Sequence, residues 1–133
     1  WIGWGKPLLG ICLGMQLLFE KSEEHGVHEG LKILPGTIRK ITGPVKVPHM
    51  GWNRLNIRQS HTLFQDFTEG YVYFVHSYYA ATIPEIILAT TKYSEEMPVI
   101  VGKDNVLGMQ FHPEKSGPVG MRLLSNWLKL VEG

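Results

Sequence analysis

Gly10-Ile11-Cys12-Leu13-Gly14 has the form of a G-x-nucleophile-x-G elbow, with a cysteine where the nucleophile stands. In such an elbow the reactive residue sits on a tight turn from strand to helix. Glycines are expected beside it, where neighbouring backbone passes through the space of a Cβ. The helix that follows points its N-terminal dipole at the sulfur, which predicts a lowered thiol pKa. The backbone N–H of Leu13 would face an oxyanion forming on a carbonyl attacked by Cys12. A lone cysteine is also a common small buried hydrophobe, so the elbow by itself leaves both readings open.

His112-Pro113-Glu114 supplies the other half of a nucleophilic site. In extended backbone, residues i and i+2 project to one side, so the Glu114 carboxylate can hold the His112 imidazole. Pro113 limits slack between them. Carboxylate, imidazole and thiol together make a general triad. Taken alone, the three residues read as readily as a surface-loop histidine beside an incidental acid.

Positioning these groups falls to the elements around them. Residues 7–11, apolar and bounded by Pro and Gly, predict a short buried strand, and residues 13–20 a helix with Met15, Leu18 and Phe19 at helical spacing. The polar stretch 21–30 reads as a loop. Residues 31–56 read as short extended pieces broken by Pro35-Gly36, Gly43-Pro44 and Pro48. The aromatic and β-branched run 71–75 is the strongest strand signal, with further strands at 86–89, 99–101 and 106–111. A turn at Lys103-Asp104-Asn105 precedes the last of these. Residues 119–131 space Leu123, Leu124, Trp127, Leu128 and Val131 on one helical face. Strand–turn–helix at the front, strands between and a helix at the back predict an α/β domain.

Composition removes several functions. The 133 residues fit one domain, and 13 Lys and Arg against 12 Asp and Glu leave a net charge of +1. Electrostatic binding to nucleic acid or to an anionic membrane therefore has no footing. A single cysteine excludes an internal disulfide, a Cys-rich zinc site and a CxxC pair, and points to a reducing cytosol. No apolar stretch is long enough to span a bilayer, and no signal-peptide pattern is present. His25-Gly26-Val27-His28 offers two metal ligands without a third, so a polar loop is the better reading. Gly3-Trp4-Gly5 is neither a dinucleotide fingerprint nor a phosphate loop, and no cofactor is implied. Trp1 and Trp4 look like part of a buried surface.

Beyond the triad residues, KPLLGICLGMQLLFE at 6–20 and GMQFHPEKS at 108–116 closely resemble class I glutamine amidotransferases. Pro48-His49-Met50-Gly51-Trp52-Asn53 and Tyr73-Phe74-Val75-His76-Ser77-Tyr78 are similar to segments of one branch, the glutaminase subunits of imidazole glycerol phosphate synthase in histidine biosynthesis. The resemblance implies a flavodoxin-like central sheet, largely parallel, with an added antiparallel portion. It implies hydrolysis of glutamine, with Cys12 as nucleophile, His112 as base and acid, and Glu114 as the orienting carboxylate. Leu13, Gly14, Gln16, Glu24, Tyr73, His76, Ser77 and Tyr78 match substrate-binding positions. For Glu24 a solvated loop acid is the rival reading, for Tyr73 plain core, and for His76 a hydrogen-bonded structural histidine.

The implied partner is a (βα)8-barrel cyclase that takes the ammonia and makes imidazole glycerol phosphate and AICAR, in a cytoplasmic heterodimer. His49, Met50, Trp52, Asn53 and Lys115 are the expected interface, with Trp52 as an anchor and Lys115 as half of a cross-interface ion pair. Nothing here matches the family's N-terminal segment with its Gly-rich oxyanion strand, so residues 1–133 are expected to be a partial domain, unstable and weakly active alone. The open alternatives are another class I branch, a stand-alone γ-glutamyl hydrolase, and an inactive piece that keeps only a docking surface.

Overall fold

A computed structural model describes residues 6–24, 26–67 and 70–132; the features expected at Trp1 to Gly5 and at His25 lie outside these. Its strands are β1 (Leu8–Ile11), β2 (Phe19–Ser22), β3 (His28–Glu29), β4 (Leu34–Lys40), β5 (His49–Ile57), β6 (Gly70–His76), β7 (Tyr78–Ala81), β8 (Ile87–Tyr93), β9 (Glu95–Lys103) and β10 (Val106–Met109). Its helices are α1 (Leu13–Leu17) and α2 (Gly117–Glu132).

Among the described residues, a six-stranded sheet runs β1-β10-β9-β8-β5-β6 and a four-stranded one β3-β2-β4-β7. Only β1 with β10 and β2 with β4 pair in parallel; the other pairs are antiparallel. The α/β class expected from the sequence is the one observed, but here the antiparallel portion is the larger part. Short turns account for this. Ser94 and Asp104, both at positive φ, join β8 to β9 and β9 to β10 as hairpins, and hairpins pair antiparallel.

The first helix is shorter than its spacing predicts. It stops at Leu17 because Leu18 and Phe19 leave the helix for a core of Met15, Leu34, Ile38 and Ala80. The carbonyls released there accept from the returning chain: Leu17 from the Leu31 N–H, Leu18 from those of Ile33 and Leu34, and Phe19 from that of Lys32. Residues 19–22 therefore form β2 rather than the end of the helix and the start of a loop. Gly30 permits this closure, since a Cβ there would lie 2.1 Å from the Phe19 carbonyl oxygen.

A second core, with Leu55, Val72, Phe74, Val99, Ile100, Met109, Phe111 and Leu123, lies between the larger sheet and α2. The helix meets it along Val119, Gly120, Leu123, Asn126 and Trp127; of the expected stripe Leu123 and Trp127 pack on this core, while Leu128 and Val131 are exposed. Asn126 fixes that rotation by donating to the carbonyls of Leu63 and Gln65, both at 2.8 Å.

Candidate active site

Cys12 occupies the turn between β1 and α1 with φ 55° and ψ −110°, a backbone conformation that L side chains rarely adopt. The turn is held by the Cys12 N–H, which donates to the Met109 carbonyl at 2.7 Å and so continues the β1–β10 ladder to its end. The two elbow glycines differ. A Cβ at Gly10 would lie 2.8 Å from the carbonyl carbon and oxygen of Gly14, as expected, whereas a Cβ at Gly14 would meet nothing within 4 Å. The first glycine lets the strand and helix approach; a side chain at the second would meet open space.

The thiol pKa is raised, contrary to the dipole expectation. Burial of the sulfur is the largest cause, and the Glu114 charge adds to it. The Leu13 backbone N–H and the Gln110 side chain oppose both by donating toward the sulfur. A helix of five residues contributes little more than that one N–H. The thiol also reaches toward the Val75 carbonyl at 4.0 Å.

His112 and Glu114 meet as expected, His112 Nδ1 lying 3.0 Å from Glu114 Oε2. They do so through a turn rather than strand alternation: β10 ends at Met109, and Pro113–Lys115 is a short 3₁₀ turn that swings the carboxylate back under the ring. Ser116, almost fully buried, locks it. Its hydroxyl donates to the His112 carbonyl at 2.6 Å and accepts from the Tyr73 N–H at 2.9 Å, while the His112 N–H donates to the Tyr73 carbonyl. Gly120 of α2 lies so close that a Cβ would stand 1.9 Å from the Pro113 oxygen.

An open cavity of about 360 Å³ is lined by Cys12, Leu13, Gln16, Glu24, Pro48, Val75, His76, Ser77 and Tyr78. It thus gathers the nucleophile candidate with six of the eight residues expected to bind substrate. Gly14 and Tyr73 are not among its walls: Tyr73 holds the His112 turn through its backbone and sets its ring edge-on to Trp52, centroids 5.8 Å apart. Three depressions elsewhere are as large or larger, about 540, 580 and 370 Å³; no cysteine lines any of them, and His61, in the last, is the one histidine among their walls. No group of three or more His, Cys, Asp or Glu able to hold a metal exists among the described residues.

The sequence matches the family "Glutamine amidotransferase class-I" over residues 1–131. The chain belongs to this family. It is 54% identical over 136 residues to the imidazole glycerol phosphate synthase subunit HisH of Geobacillus sp. (strain WCH70), covering 97% of this chain and 64% of that protein. Against the HisH subunit of Halalkalibacterium halodurans it is 53% identical, covering 99% of this chain and 65% of that one. The chain thus spans just under two thirds of the length of these curated relatives. Among solved structures, a GMP synthase component from Thermoplasma acidophilum superposes with a TM-score of 0.68 at 19% identity, covering 96% of this chain and 58% of that one. A glutamine amidotransferase from Thermotoga maritima superposes at 0.62 and 21%, covering 98% and 49%. These two establish the amidotransferase fold.

Within this amidotransferase fold the expected interface residues divide by strand alternation. Met50 and Trp52 are exposed on the outer face of β5, beside Tyr71 and Val75 of β6, and Lys115 is exposed and makes no ion pair among the described residues. His49 and Asn53 point the other way, His49 buried in the core and Asn53 half-buried beside it. His49 is buried, stacked between Phe74 and Tyr93 at 4.8 and 3.8 Å. Its Nδ1 lies 2.9 Å from His76 Nε2, and Asn53 Nδ2 lies 3.3 Å from its Nε2. Burial, with His76 beside it, pulls the His49 pKa down to about 4, and burial lowers that of His76 too. Gln110, Ser116 and Gly120 are site-shaping residues that the sequence reading missed. The first two lay inside the quoted GMQFHPEKS segment without a role.

Proposed function

We propose that this chain hydrolyses the side-chain amide of glutamine at Cys12 and delivers ammonia to a (βα)8-barrel cyclase, as the glutaminase part of an imidazole glycerol phosphate synthase acting in the cytoplasm. The observation that carries the reading is the cavity on which Cys12, Gln16 and Glu24 converge, with the charge of Glu114, which holds His112, acting on the sulfur. Identity to HisH subunits supports the choice of partner.

Cys12 passes its proton to His112 and attacks the amide carbon, and the carbonyl electrons move to oxygen, where the Leu13 N–H is a donor within reach. Collapse of this tetrahedral species expels the amide nitrogen, which takes a proton from His112 and leaves as ammonia. The γ-glutamyl thioester that remains is cleaved by water, His112 now accepting the proton. Glu114 fixes the ring through Nδ1, leaving Nε2 for these transfers. Glu24 offers a carboxylate to the substrate's ammonium group. Met50, Trp52 and Lys115 present the outer face to the partner. Among the described residues no helix is long and apolar enough to cross a membrane.

The test is glutamine hydrolysis by the full-length protein, with and without the cyclase, in parent and Cys12→Ala forms. Activity should be low alone, rise strongly with the ligand-bound cyclase, and vanish in the variant. A glutamine-like electrophile should label Cys12. Hydrolysis by Cys12→Ala near the parent rate overturns the reading. Full activity without a partner points instead to a stand-alone hydrolase.

A further inference from the structure

Gln110 touches the sulfur, yet the triad scheme gives it nothing to do. Its side chain is fully buried, so its amide must find partners inside the protein. Nε2 donates to Cys12 Sγ at 3.8 Å, and Oε1 accepts from Gln16 Nε2 at 3.0 Å. Flipped by half a turn, the amide would set its oxygen against the sulfur and its N–H against that of Gln16. The orientation of Gln110 is therefore decided by Gln16.

Gln16 is held in turn. Its Nε2 also donates to the Tyr78 carbonyl at 3.4 Å, which accepts as well from His76 Nδ1 at 2.8 Å. A carbonyl cannot donate, so the His76 proton sits on Nδ1, and Nε2 of the neutral ring accepts from His49 Nδ1–H. His49 Nε2 then accepts from Asn53, whose second amide N–H goes to the Lys92 carbonyl at 3.0 Å. From β8 to the sulfur, each link has one permitted sense.

We propose that Gln110 is a positioning residue for Cys12, its amide N–H aiming the sulfur into the cavity and favouring the thiolate, in an orientation that Gln16 and the Tyr78 carbonyl enforce. This rests on Cys12 being the nucleophile. Glu114, paired with His112, opposes the effect by its charge, and Glu24, His76 and Tyr78 are the other titratable groups on the cavity wall.

The test uses the full-length protein. The rate of Cys12 alkylation by iodoacetamide is followed from pH 6 to 10, and glutaminase kcat and KM are measured with the cyclase bound. Gln110→Met keeps the shape without the donor, and Gln110→Glu keeps the acceptor for Gln16 but turns an anion toward the sulfur. Both should move the alkylation profile to higher pH, by about one unit or tenfold in thiolate at a fixed pH below the pKa, with Glu exceeding Met. The loss should fall on kcat rather than KM. If either variant fails to fold, Gln16→Met leaves Gln110 in place but free to flip, and a smaller shift of the same sign is expected. Alkylation profiles that coincide with the parent, whatever the melting temperatures do, overturn the proposal while leaving a Cys12-dependent glutaminase standing. Glutamine hydrolysis by Cys12→Ala overturns the nucleophile reading and this proposal with it.

Discussion

Two opposed sets of influences meet at the Cys12 sulfur. Burial and the Glu114 carboxylate disfavour the thiolate, while the Leu13 N–H and Gln110 amide favour it, and burial wins. Alkylation of the free protein should therefore rise about tenfold per pH unit through neutrality and not level off below pH 9, the ordinary thiol value. A plateau below pH 8 would show the opposite balance. The buried imidazoles make a second prediction at this scale. Unfolded histidine titrates near 6.5, whereas His49 in the fold titrates near 4 and His76 is also depressed. Between those values the unfolded chain binds more protons, so stability rises with pH through the window and is lost on acidification from about 6.5 toward 4. Melting temperature should fall over that range, and His49→Phe, which keeps the stack on Phe74 and Tyr93, should flatten the slope. His61, also depressed by burial, keeps the slope from vanishing.

Elements place the proposed triad residues through close backbone approaches, and glycines report where these occur. Gly10→Ala forces a methyl onto the Gly14 carbonyl, and Gly120→Ala forces one onto the Pro113 oxygen. Each should cost about 1–3 kcal/mol or more in denaturant unfolding, the range for overpacking where backbone cannot yield. Gly14→Ala meets open space and should be neutral or gain up to about 1 kcal/mol from helix propensity. If that variant loses glutaminase activity while melting like the parent, the open space at Gly14 is substrate space. The elbow and the pairing of His112 with Glu114 were legible in sequence, though not the turn that makes the pair, because their chemistry needs fixed residue types at fixed short spacing. Ser116 and Gln110 were not, because a serine or glutamine gains meaning only from what lies across the fold: Tyr73 for one, Cys12 for the other. Phe19 misled for a related reason, since its helical spacing from Met15 was real but the core that claims it is built by β4 and β7. His49 and Asn53 carried a usable signal. Period-two alternation along β5 sends 49 and 53 inward and 50 and 52 outward, which reading the segment as one unit obscured.

On the scale of the whole molecule, the hairpin of β5 and β6 has two faces with different uses. Its inner face carries Val72, Phe74, His49 and His76 into the core and the hydrogen-bonded chain. Its outer face leaves Met50 63%, Trp52 57%, Tyr71 57% and Val75 37% exposed in adjacent cross-strand positions, with Lys115 on the neighbouring turn. An aromatic and apolar cluster of this kind on an exposed strand pair is costly to leave in water and fits a protein interface, with tryptophan as the energetic centre. Trp52→Ala should weaken cyclase binding by about 2 kcal/mol, roughly 30-fold in Kd, and Lys115→Ala by less. Neither should shift the melting temperature much, because neither side chain is buried in the free chain. Val27, 73% exposed and in the loop before β3, serves as a control: Val27→Ala should bind like the parent. A titration in which Trp52→Ala binds as tightly as Val27→Ala would remove this face from the interface. Equal weakening by all three would mean that the substitutions act through the fold and not through contact.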